Sequence, residues 1–77
     1  MLENIVPGTH LANDDNSLRV KVEWIGIDVK ADTLAEIRFV FHAQYFGSHT
    51  MILNHFLFGE MCKEYGLKIV YSPEESD

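Results

Sequence analysis

Residues 47–66 read Gly47-Ser48-His49-Thr50-Met51-Ile52-Leu53-Asn54-His55-Phe56-Leu57-Phe58-Gly59-Glu60-Met61-Cys62-Lys63-Glu64-Tyr65-Gly66, and the element they form sets the architecture of the whole chain. Ser48 carries a hydroxyl able to accept from first-turn amides, and Gly66 suits the left-handed residue that closes a helix. The span 49–65 between them therefore reads as one helix of about four to five turns. At about 100° per residue, one arc holds Met51, Leu57, Phe58, Met61, Cys62 and Tyr65, wide enough to cover a small sheet. Spacings of four, three and four residues place Ile52, Phe56, Gly59 and Lys63 on a second stripe beside His55. Glycine inside a helix costs ~1 kcal/mol relative to alanine, so Gly59 calls for a reason, such as a close-approaching backbone. Two coverings compete for this stripe. One is the N-terminal flank, through Ile5, Val6 or Leu11; the other is a second chain. The residues Ile52, His55, Phe56, Gly59 and Lys63 are the candidate interaction surface.

On the N-terminal side of this segment the pattern changes to a period of two. Leu18, Val20, Val22 and Trp24 alternate with Arg19, Lys21 and Glu23, as in a half-buried strand. After Trp24 the phase shifts to Ile25, Ile27 and Val29, and Gly26 at the shift predicts a bulge or sharp twist. A turn at Lys30-Ala31-Asp32-Thr33 follows. Ala35, Ile37, Phe39, Phe41, Ala43 and Tyr45 then alternate with Glu36, Arg38, His42 and Gln44, a second strand over 33–46. A helical alternative stands beside it, because Thr33-Leu34-Ala35-Glu36 fits a capping box and Leu34, Ile37, Val40 and Phe41 share a helical stripe. The strand is preferred for its alternation and its aromatic and β-branched content. Residues 67–71 (Leu67-Lys68-Ile69-Val70-Tyr71) read as a third strand. The expected fold is α+β: a small β-β-α-β domain whose three-stranded antiparallel sheet, in the order 2-1-3, is covered by one helix. Val20, Val22, Phe39, Phe41, Leu67 and Ile69 form its covered face.

Charge divides the chain the same way. The 77 residues carry 12 acids against 6 Lys and Arg, a net charge of −6. Residues 18–72 hold six of each, so the surplus lies in the flanks, as Glu3, Asp14 and Asp15 at one end and Glu74, Glu75 and Asp77 at the other. The expected organisation is a partly ordered flank over 1–17, one α+β domain over 18–72, and a disordered acidic tail over 73–77 that begins at Pro73. A content of 47% hydrophobic residues is too apolar for a disordered acidic chain. The net negative charge argues against a general nucleic-acid binder, whose affinity comes from neutralised phosphates. The opening Met1-Leu2-Glu3-Asn4 lacks the basic start of a signal peptide, and the apolar run 51–58 is far shorter than a membrane span. A cytoplasmic protein with no membrane partner is the expectation.

Chemistry is sparsely signalled. His10, His42, His49 and His55 share no metal-ligand spacing, and His55 with Cys62 supplies two ligands only. No metal and no cofactor is expected. Cys62 falls on the buried arc near the end of the helix, an unfavourable place for a reactive thiolate. No nucleophile elbow or Ser-His-Asp set can be assigned, and no catalytic residue is named. Gly47, Ser48, His49 and Thr50, at the expected helix start, are a possible anion-binding set, since free amides there attract negative charge. Capping by Ser48 accounts for the same residues. The expected function is a non-catalytic protein-interaction module, an adaptor or an inhibitor of a larger protein. It acts through the apolar helix stripe on another protein or on a second copy of itself, as a homo-oligomer. Two alternatives are a small ligand-binding or enzymatic oligomer with its anion site at the helix N-terminus, and an acidic nucleic-acid mimic.

Overall fold

Alternation builds the two long strands. In the computed structural model, which describes residues 5–28 and 33–73, β2 is Leu18–Asp28 and β3 is Thr33–Ala43. They pair antiparallel, Val20 opposite Phe41 and Val22 opposite Phe39, so their apolar side chains share one face. The register shifts between Val22 and Trp24 and again between Gly26 and Ile27. The first shift turns Ile25 towards the covered face, opposite the buried Ile37, which is the phase change visible in the sequence. The helical alternative for 33–46 is thereby excluded. The expected turn falls on residues 29–32, outside the described residues, as do residues 1–4 and 74–77.

The sheet has five strands, in the order β4-β3-β2-β1-β5, with every neighbouring pair antiparallel. The three-stranded 2-1-3 sheet is corrected at both margins. On one side the N-terminal flank supplies β1, His10–Ala12, paired with β2. Its docking extends beyond the strand, because Gly8 donates its N–H to the Val22 carbonyl at 2.7 Å and the Thr9 carbonyl accepts from the Val22 N–H at 2.9 Å. That edge of β2 is therefore taken, and the C-terminal strand β5, Lys68–Tyr71, pairs with β1 instead. Leu11 is 1% exposed, so the flank is drawn in by burial as well as by hydrogen bonds.

At the other margin, the expected helix over 49–65 divides. Gly47–Asn54 is a strand, β4, and only His55–Tyr65 is helical, as α1. Phe41 faces His49, Phe39 faces Met51 and Ile37 faces Leu53 across the β3–β4 ladder. A helix here would leave the outer backbone groups of β3 without these partners, and β-branched Thr50 and Ile52 fit a pleated surface better than a helix. The cap moves with the boundary. Asn54, extended at φ −68 and ψ 162, accepts the Leu57 N–H on its side-chain oxygen at 2.8 Å, so Ser48 caps nothing. The other end agrees with the sequence. Gly66 is left-handed at φ 66, its N–H reaches the Lys63 carbonyl, and Leu67 donates to the Cys62 carbonyl at 2.9 Å. This is the paired closure in which the residue after the glycine also packs inward, and Leu67 is buried.

The helix lies on one face of the sheet. Phe58 and Cys62, four residues apart, are its buried residues, and the Phe58 ring meets Phe39 edge-on at 5.1 Å. Ile5, Leu11, Val20, Val22, Ile37, Phe39 and Leu67 complete the core, with Phe41 and Ile69 partly buried against it. The expected covered face is thus observed, built on more strands than expected. The opposite face of the sheet has no layer on it among the described residues.

Candidate interaction surface

The division of the 47–66 segment relocates the candidate residues. Ile52 is on β4, opposite Arg38, and so on the sheet face away from α1. His55, Phe56, Gly59 and Lys63 remain on the helix. The stripe is therefore split between two faces of the molecule. Both of its large side chains stay uncovered, Ile52 at 57% and Phe56 at 65% exposed. The described part of the N-terminal flank does not cover them, since Ile5 and Leu11 are committed to the main core. His55 and Lys63 are exposed and Gly59 is half-buried.

Two further apolar regions flank these residues. The first is an open groove between β4 and α1, about 390 Å³ in volume, where Leu53, Leu57, Met61 and Tyr65 line the floor and Glu60 and Glu64 the rest. Leu57, Tyr65 and Met51 are each partly exposed beside it. The second is the uncovered sheet face, where Arg38 sits over the Trp24 ring with its guanidinium carbon 5.9 Å from the centroid. The indole lies across Gly26, where an added Cβ would be 2.6 Å from Trp24 Cη2, which explains a glycine at that place in a strand. Tyr45 and Phe46, in the β3–β4 turn, are the most exposed aromatics at 85% and 80%. Sequence reasoning placed Tyr45 in a strand and Leu57, Met61 and Tyr65 in the core. The signal it passed over was the unbroken run Met51-Ile52-Leu53, which has no helical period of its own.

The possible anion site loses its physical basis. Gly47, Ser48, His49 and Thr50 lie in β4, with Gly47 at φ 80, so their amides are not those of a helix start. Ser48 Oγ and His42 Nδ1 hydrogen-bond at 2.8 Å across the ladder, and His49 Nε2 lies 3.3 Å from the Phe46 carbonyl oxygen. At the actual helix start, the Leu57 amide is bonded by Asn54. No group of three or more His, Cys, Asp or Glu able to hold a metal occurs among the described residues. Cys62 is 2% exposed, and burial pushes its thiol up to about 11, which suppresses the thiolate at neutral pH. The ordered acids Asp14 and Asp15 lie in the loop before β2, where hydrogen bonds from Ser17 hold the Asp15 carboxyl below its usual range. The uncovered sheet face carries Arg19, Lys21 and Arg38 beside Glu36, a mixture of signs rather than a row of carboxylates. No described helix is long and apolar enough to cross a membrane. No protein-family model, curated protein or solved structure matches the chain.

Proposed function

We propose that this chain is a non-catalytic protein-interaction module, an adaptor or an inhibitor of a larger protein, that binds through apolar surface at the β4–α1 side. The observation that carries this reading is the exposure of Ile52 and Phe56, at 57% and 65%, with Met51, Leu57 and Tyr65 also exposed on β4 and α1. A solitary exposed leucine is ordinary, but Leu57 and Tyr65 line one groove on the helix that also carries Phe56, while Ile52 is exposed on the other face of the sheet. Aromatic and aliphatic anchors of this kind, with a rim of Glu60, Lys63 and Glu64, match the usual anatomy of a protein-binding surface.

The test uses the full chain, tagged, as bait in lysate of its source cells, compared with Phe56→Asp and Ile52→Asp. A partner recovered stoichiometrically by the wild type should be lost with one of the variants and should rebind the wild-type chain when both are purified. The choice of variant tells which face it uses. Anchors of this type typically cost 2 kcal/mol or more on truncation, roughly a thirtyfold loss of affinity. Equal recovery by wild type and both variants would dispose of the reading.

A further inference from the structure

We infer that β4 is a self-pairing edge, through which two copies of this chain join their five-stranded sheets into one continuous sheet. The inference goes beyond the interaction reading, because it adds a second copy of this chain, seated on the β4 edge, to the partner proposed there.

The two margins of the sheet are built differently. β5 is four residues long, carries Lys68, whose ammonium reaches Asp14 at 3.7 Å, and is followed at once by Ser72-Pro73. Shortness, a lysine and a nearby proline are devices that keep an edge strand from recruiting another. β4 has none of them. It runs eight residues without Lys, Arg, Asp, Glu or Pro, and its pairing with β3 shows no register shift, so no bulge twists it away. Seven of its eight residues are exposed, Met51 and Ile52 among them. Its outward N–H and C=O groups form a straight, uncharged template.

Three features favour a second copy over a foreign strand. The uncharged sequence brings no like charges together when it pairs with itself. Directly opposite residues of an antiparallel pair share a face, so His49, Met51 and Leu53 meet their counterparts on the helix side while Ser48, Thr50 and Ile52 meet theirs on the open side. The two-fold axis then stands normal to the sheet, which puts both α1 helices on the same face. Each apolar groove of Leu53, Leu57, Met61 and Tyr65 flanks the seam, so both copies cover the same surface. The joined sheet has β5 at both outer margins, and this guarded edge opposes growth beyond two, so the assembly closes as a dimer.

Light scattering and sedimentation of the full chain from micromolar to millimolar concentration test this directly. The expected particle has twice the 8.8 kDa chain mass. Thr50→Lys with Met51→Lys places a charge on each face of β4 beside its own copy and should weaken association about 100-fold or more. Circular dichroism checks that the variant keeps its fold. Should it unfold, the wild type still decides the matter: a mixed-label sample should give intermolecular proton contacts between β4 residues. Phe56→Asp, on the side of the helix away from the groove, should leave the dimer intact, which separates this outcome from the partner test above. A wild-type monomer at every concentration overturns the dimer, whatever Phe56 does to partner recovery. A dimer indifferent to the lysines, or without β4 contacts, overturns the edge pairing.

Discussion

Cys62 shows how one side chain ties packing to pH. It sits four residues after Phe58 on the covered side of α1, and its thiol is raised from 9.0 to about 11 because burial penalises the charged form. The unfolded chain releases this proton near its ordinary value, whereas the folded chain retains it. Folding is therefore fully favoured by this group below pH 9.0, and that contribution is lost as pH rises towards about 11. The slope is about 1.4 kcal/mol per pH unit within that window. Denaturant unfolding of wild type and Cys62→Ala under reducing conditions, at a series of pH values from 8 to 12, should give curves that converge as pH rises. Parallel curves would mean that the thiol ionises as freely folded as unfolded. Its burial was legible beforehand from the Phe58–Cys62 spacing. That Ile52 and Phe56 lie apart from the arc of Phe58 and Cys62 was legible too, but neither what covers them nor their separation onto two faces was, because a helical stripe and a strand face assign different neighbours to the same residue.

The boundary between β4 and α1 is where the structure departs furthest from the helix expected over 49–65, and the physical cause is local. Gly66 ends the helix unambiguously, since its left-handed φ and the Leu67–Cys62 hydrogen bond leave no continuation. The start offers two caps, Ser48 and Asn54, and both are good ones. Local capping strength does not choose between them; the ladder that β3 offers to residues 47–54 does. A short helix is marginal by itself in water, so six residues that gain strand hydrogen bonds leave it readily. The two residues consequently predict opposite outcomes. Asn54→Ala removes the acceptor of the Leu57 amide and should cost about 1 kcal/mol, with loss of protection in the first turn of α1 by hydrogen exchange. Ser48→Ala removes only an exposed bond to His42 and should fall within about 0.5 kcal/mol of wild type. The reverse ranking would return the helix start to residue 49.

For the molecule as a whole, strands of eleven residues with long alternating stretches announce themselves, and β2 and β3 did, even across the phase change in β2. A three-residue strand such as β1 has no period to read, and its place between β2 and β5 depends on contacts made far along the chain. That is why the covered face was legible while the strand count was not. The same topology makes β1 the joint of the fold, because β5 has no other strand beside it among the described residues. Leu11 holds this joint: it is 1% exposed, lies opposite Val20 in β2 and Ile69 in β5, and belongs to the main core. Leu11→Ala should cost about 2–5 kcal/mol, out of the roughly 4–12 kcal/mol expected for a chain of this length. The loss should not be uniform. Residues 68–71 depend on β1 for their ladder, so their amides should exchange much faster in the variant, whereas β2, β3 and β4 keep one another's hydrogen bonds and should retain protection up to the reduced global stability. If β5 and β3 amides lost protection equally, the sheet would open as a single unit and β1 would not be a joint.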